Sequence, residues 1–448
     1  MTASTTRYCL LLLPWLFDAP ASAAHDPLAT FENGKRPVAE VHVAVSGDDD
    51  NGDGSPGSPY ATIGRAIESA MPGTAIRLHQ GTYPGDNAVR GLAGTEAAPI
   101  WIGGAPGQPK PVIEGGDEGL LLDRVRYLVI HDLVVRNAKH NGINTADAGD
   151  FANPDTTRYI IFRDLRIEDI GASGNQDCLK LSGVDDYVVT GSSFRRCGGG
   201  TSGSGIDQVG CHRGAIRANH FASMAGNAIQ AKGGSEDILI HGNTIIDGGY
   251  RAVNIGGSTD HKYFRPPLSK ERANFEASNI RVTANLIIGA GVPFAFVGAI
   301  DSIAAHNTVI DPTHWLIAIL QETTSTNEYE FVASGNNRII NNLFYYDRSA
   351  LADPVHVGSN TDPDSFEFAG NFWYAHDDIE RSRPALPVPE TGGVAGEDPL
   401  FTNPVAGDYR LRASSPAIGR GQPLTAPAVD HDGRPFKHPP SIGAYGVH

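Results

Sequence analysis

Between Ile160 and Phe372 one short phrase keeps returning, in which β-branched and apolar residues flank a single Asn, Asp or Ser. It reads IIFRDLRI, VVTGSSF, AIRANHF, LIHGNTII, RVTANLII, AAHNTVI, IINNLFY and FAGNFWY. Counting one earlier copy, the polar landmark falls at Asp132, Asp164, Ser192, Asn219, Asn243, Asn285, Asn307, Asn342 and Asn371. The steps are 32, 28, 27, 24, 42, 22, 35 and 29 residues. A strand-and-turn unit recurring at that interval, with longer steps where loops intrude, specifies a β-solenoid. Asn amides stacked at the turns account for the landmark, and stacked coils present an elongated outer groove that suits a long polymer.

The chain opens with Arg7, the apolar run Tyr8 to Phe17 and the small residues Ala21 to Ala24, the pattern of a secretory leader over 1–24. That run is too short to span a bilayer, and no later stretch is long enough. The rest, 25–448, reads as one domain, because a solenoid grows by adding coils rather than domains. Its placement is expected to be extracellular or periplasmic. Without Cys9, the thiols are Cys178, Cys197 and Cys211, so at most one internal disulfide forms. Cys178 and Cys197 lie in neighbouring coils and can bridge, or be buried as small hydrophobes. A net charge of −16 with no basic run excludes nucleic acid as the expected partner. No oligomerisation signal is present, and a monomer is expected.

Residues 41–83 carry a strand, a Gly/Asp/Pro loop, the helical pattern Tyr60 to Ala70 and a strand at Ala75 to Leu78. This resembles the N-terminal cap of secreted right-handed parallel β-helix proteins, and EDPLFTNPVAGDYRLRASSPAIGRG within 397–448 resembles the segment that closes many of them. The resemblance implies an all-β, right-handed parallel β-helix with a short capping helix. Stretches near 260–278, 322–337 and 376–397 read as loops between coils. Asp49, Asn51, Asp53 and Gly54 have the spacing of half a calcium loop, but the twelfth position is Tyr60 rather than Glu. A solvated turn is expected there and no cofactor, with calcium as the alternative.

From Asn175 to Arg265 the chain aligns with itself. GIN (142–144), CLKLSG (178–183), GIDQVG (205–210), AIQAKG (228–233) and AVNIGG (252–257) fall at corresponding places. Because strand side chains alternate, Ile143, Leu179, Ile206, Ile229 and Val253 should point inward. Asn144, Lys180, Asp207, Gln230 and Asn254 then form an outward file, with Ser182, Val209, Lys232 and Gly256 beside it. Lys180 should face Asp207, with His212 and Arg251 at nearby turns. Glycines at 205, 210, 233, 234, 256 and 257 should keep bulk low on a groove floor. HKYFRPP (261–267) is read either as a loop covering a coil or as a bank supplying Tyr263 and Arg265 to sugars.

The segment from Asn219 to Ser258 is similar to the catalytic coil pair of β-helix polysaccharide lyases of the alginate-lyase and dermatan-lyase type. The resemblance implies an acidic polysaccharide substrate, with Lys232 as general base and Arg251, a few residues early, as the accompanying arginine. The acidic calcium-binding pair of that family is replaced by Asn227, Ala228 and Ile229. Gln230, Asn254, Arg251 or His212 would then bind the uronate carboxylate, joined by Lys180 and Asp207 in the substrate site. β-Elimination needs that carboxylate neutralised so that the C5 proton becomes acidic, and a base to remove it; His212 is the nominee for protonating the leaving oxygen.

Three alternatives stay open. NQDCLKLSG resembles the aspartate strand of polygalacturonases, with Gln176 in place of the first Asp, so Asp177 and Asp207 keep a glycoside hydrolase in view. A uronate C5-epimerase would share the lyase chemistry. A non-catalytic glycan-binding surface protein would need none of it.

Overall fold

The computed structural model describes residues 31–153, 155–171, 174–199 and 202–447. The expected leader at 1–24 lies outside them. The strands form three long parallel sheets of 13, 10 and 12 strands, joined coil after coil into a parallel β-helix. Among the described residues there is one α-helix, Ile63–Ser69, and one antiparallel pair of strands, Phe401–Asn403 with Asp408–Leu411. No described helix is long and apolar enough to cross a membrane.

One coil shows the route. Asp185–Thr190 lies in the 13-stranded sheet, Ser193–Cys197 in the 12-stranded sheet and Ser204–Val209 in the 10-stranded sheet, and His212–Arg217 returns to the first. Alternation sends every second side chain inward, and those positions are Ile, Val, Leu and Phe at or near zero exposure. Phe194 stacks on Phe221 and Phe344 on Trp373, with centroids 4.8 and 4.4 Å apart.

The corner between the 13- and 12-stranded sheets carries the Asn ladder. Asn219, Asn243, Asn285, Asn307 and Asn342 each donate a side-chain hydrogen bond to the next Asn, ending on Asn371, at 2.8–3.1 Å. Each also donates to a backbone carbonyl, as Asn285 does to Ile240 at 2.9 Å. Buried amides are tolerable only because both ends are satisfied. Ser192 begins the stack, its backbone N–H donating to Asn219 Oδ1 at 2.9 Å. Asp132 and Asp164 are not in it. With φ of 52° and 55° they occupy the left-handed turn one residue earlier, where later coils have Gly191, Ala218 and Gly242. The ladder position in those two coils belongs to buried Leu133 and Leu165.

At the first coil, Thr62 caps the helix by accepting from Arg65 N, and Ile63 and Ala66 join the core beside Val43, Ile76 and Val89. The acids of the adjoining loop are used in local turns. Asp49 accepts from Ala61 N at 2.8 Å and Thr62 Oγ1 at 2.7 Å, and Asp53 accepts from Ser55 N at 2.9 Å. At the other end, Leu386 and Val388 pack against the core and Glu390 terminates the ladder, accepting from Asn371 Nδ2 at 2.9 Å. The segment after residue 397 runs back along a flank: Phe401, Ala417 and Ile442 cover Leu286, Ile310, Leu343 and Phe372. Cys178 and Cys197 form a disulfide, and Cys211 is free and buried.

Candidate functional site

Five strands of the 10-stranded sheet build the site: Ile143–Ala146, Leu179–Ser182, Ser204–Val209, Asn227–Lys232 and Arg251–Gly256. Their register pairs Asn144 with Lys180, Lys180 with Asp207, Asp207 with Gln230 and Gln230 with Asn254. Ser182, Val209 and Lys232 pair in the adjoining file. Ile143, Leu179, Ile206, Ile229 and Val253 face inward with no exposure. Gln208 also faces inward, hydrogen-bonded to the Tyr187 hydroxyl and donating to Gln230 O at 2.9 Å.

Four charges converge on this face. Lys180 Nζ is hydrogen-bonded to Asp207 Oδ2 and lies 3.3 Å from Asp177 Oδ2. Lys232 Nζ approaches Asp207 Oδ2 at 3.8 Å, beyond hydrogen-bond reach. The cluster is layered: the two carboxylate side chains are 1% exposed, whereas those of Lys180 and Lys232 are 19% and 13% exposed. Burial, reinforced by the charge of Asp207, pushes the Asp177 carboxyl up to about 6 against the pull of Lys180 and Lys232. Asp207 is buried too, but the two lysines hold its carboxyl below the ordinary range. Burial works against the Lys180 ammonium, yet Asp207 and Asp177 more than offset it and raise its pKa. The two carboxyls are thus driven apart, Asp177 above and Asp207 below the ordinary value.

Around the cluster, Gln230 accepts from Asn227 Nδ2 at 3.2 Å and directs its own amide at Gly256 O at 3.4 Å. Arg251 bridges Asn254 Oδ1 at 3.4 Å and Glu322 Oε1 at 2.6 Å. Asn227 directs its amide nitrogen at Ser204 Oγ and Gln230 Oε1. With Ala228 and Ile229 beside it, this stretch offers no carboxylate for calcium. Among the described residues no group of three His, Cys, Asp or Glu side chains is arranged to hold a metal ion.

Two expectations are corrected. His212 belongs to the 13-stranded sheet, around the corner from Lys232, where Nδ1 contacts Asp185 Oδ1 at 2.7 Å. Its burial lowers the imidazole pKa, but Asp185 outweighs this and raises it. Arg265 is a strut rather than a sugar ligand. It is 6% exposed, bonded to both oxygens of buried Asp147 at 2.7 and 3.0 Å, with its guanidinium 4.1 Å from the Phe151 ring centroid. The corner glycines serve that strut: a Cβ on Gly183 would stand 2.7 Å from Arg265 Nε, and one on Gly210 2.4 Å from Arg265 Cβ. Tyr263 remains 45% exposed, its ring under Lys262 at 4.7 Å.

Sequence reasoning missed Glu276. Fully buried, it accepts from Gly233 N at 2.7 Å, Thr259 N at 2.8 Å, Thr259 Oγ1 at 2.8 Å and the Thr323 hydroxyl. It thus ties the turn directly after Lys232 to two inserted loops, and desolvation raises its carboxyl pKa. A Glu inside a loop insertion carries no periodic signal; its place between Phe275 and Ala277 was the available hint.

No protein-family model matches the sequence, and no curated protein matches it. Among solved structures the chain is similar to the pectate lyase Pel9A, with 15% identity over 93% of this chain and 98% of that one, at a TM-score of 0.54. It is similar to XylC in its complex with xylose, with 11% identity over 91% and 98% of the two chains, at a TM-score of 0.56. An alginate lyase from Paenibacillus sp. str. FPU-7 matches at 15% identity over 72% and 97%, with a TM-score of 0.43. The chain is therefore a parallel β-helix protein whose fold resembles those of the pectate lyase Pel9A and of XylC.

Proposed function

We propose that this protein is a polysaccharide lyase that cleaves a uronate-containing chain by β-elimination, with Lys232 as the base. The layering of the four-charge cluster carries the reading: amines lie outward and carboxylates beneath, so the groups a sugar meets first are nitrogen bases and donors. Lys180, kept cationic by Asp207 and Asp177, neutralises the uronate carboxylate, and the Gln230 amide adds a donor. Lys232, whose Nζ makes no hydrogen bond among the described residues, takes the C5 proton. The C5–H electrons form the C4–C5 double bond as the C4–O4 bond breaks. The ammonium formed at Lys232 then returns its proton to the leaving oxygen, a role that passes from His212. In the same reading the chain is exported after loss of residues 1–24, coils right-handed beneath its N-terminal helix, and acts as a monomer without a resident cofactor.

One observation favours a second reading. Asp177 and Asp207 have pKa values pushed in opposite directions, as an acid–base pair in a glycoside hydrolase would. Their burial beneath the lysines supports the lyase instead, since a hydrolase must bring both carboxyls to the sugar.

Incubation with alginate, pectate, glucuronan and glycosaminoglycans separates the two. Ultraviolet absorbance from unsaturated ends is expected, and reducing ends without absorbance would select hydrolysis. Lys232→Ala should lower the elimination rate by roughly 10²–10⁴-fold with the fold retained; undiminished turnover removes Lys232 from the base role.

A further inference from the structure

Exposure along the outward file changes sharply from one end to the other. Ala88 is exposed, and Leu121, Asn144 and Lys180, which follow it in register, are half-buried. Past the four-charge cluster the file closes: Gln230 is 7% exposed, Asn254 2%, and the next two rungs, Ala295 and Ala318, 0%. These positions point away from the core, so their burial requires a cover. Arg251 supplies part of it, reaching Asn254 and then Glu322 on the loop after Leu320. Trp315, beside Leu320, supplies another part. It packs against the cluster of Val292, Ala295, Val297 and Ala318, with His314 and His356 at centroid distances of 4.2 and 4.1 Å. Glu276 holds the covering loop through Thr323.

We infer that the trough is blind beyond Asn254 and that the site takes a chain end of the acidic polysaccharide, releasing short products from that end. The Arg251–Glu322 bridge and Trp315 form the stop. The inference rests on the lyase reading. Successive strands stand about 4.8 Å apart, so the covered rungs Asn254, Ala295 and Ala318 remove the length in which further sugars would lie. On the open side, Lys180, Asn144 and Leu121 leave the trough free for the remainder of the polymer.

Two measurements test it on the full chain. Size-exclusion profiles early in digestion should show short products beside polymer of undiminished length. Glu322→Ala combined with Trp315→Ala should add mid-length fragments and raise the viscosity lost per bond cleaved several-fold. Mid-length fragments released early by the wild type overturn the blind end, and an unchanged profile in the double variant removes these residues as the stop. Separately, Lys232→Ala is titrated with short and long fractions of each polysaccharide in the panel. One protein bound per chain at both lengths is expected, and saturation rising with length overturns the blind end while leaving the lyase reading intact. Neither elimination nor binding with any polymer sinks the functional reading and this inference with it.

Discussion

Replacing Asp177 with Asn should stabilise the protein at neutral pH, although it removes a partner of Lys180. The carboxyl is 1% exposed, and burial, helped by Asp207, raises it from 3.8 to about 6. The folded state therefore binds this proton more tightly than the unfolded chain does. The stability this group contributes is fullest below about pH 4 and is lost as pH rises through about 6, because over that window the folded protein holds more of this proton. A shift of roughly two units corresponds to about 3 kcal/mol. Asparagine mimics the protonated carboxyl, and its Oδ1 can still accept from Ser204 N, now at 2.7 Å. Lys180 keeps Asp207 as its hydrogen-bonded partner. Urea midpoints for variant and wild type, measured across pH, should coincide near pH 4 and separate by up to about 3 kcal/mol near pH 7. Taking the difference between the two proteins cancels carboxyls titrating in common. A difference that is flat with pH, or a variant that weakens as pH rises, would show that folding does not raise the Asp177 carboxyl and that Lys180 stabilises its anion.

Asn285→Ala should cost on the order of 4 kcal/mol, because it breaks bonds to Ile240 O and Asn307 Oδ1 and removes the acceptor of Asn243 N and Nδ2; thermal unfolding checks this. Arg265→Ala should destabilise by about 3–5 kcal/mol by leaving buried Asp147 unpaired, and should lower the melting temperature more than it raises KM. Reducing the Cys178–Cys197 bond, which spans 19 residues, should cost about 3 kcal/mol in a urea titration with and without reductant. Cys211, whose thiol burial pushes up to about 12, should resist alkylation in the native protein and react only on unfolding.

The coil order, the inward hydrophobic file and the pairing of Lys180 with Asp207 were legible because a solenoid makes each residue's spatial neighbour its counterpart one repeat away. The ladder was legible from Ser192 onward. It was misplaced by one residue at Asp132 and Asp164, since an aspartate in a left-handed turn looks like the landmark it precedes. His212 was read as lying at a turn beside the file, because a residue's distance from a corner does not reveal which side of the corner it occupies.

What lay beyond reading was everything that crosses the repeat. Arg265 meets Asp147 across 118 residues, Arg251 meets Glu322 across 71, and Glu276 meets Gly233 across 43. These contacts come from loops inserted between coils, which share no period with the strands, so no register predicts where they land. The amino-acid sequence by itself determined the stack of coils and the residues lining one face, because strand alternation and a regular repeat are local properties. Only the tertiary structure decided that the lysines lie above their carboxylates and that the trough is covered past Asn254, because burial and the route of an insertion depend on what packs over them.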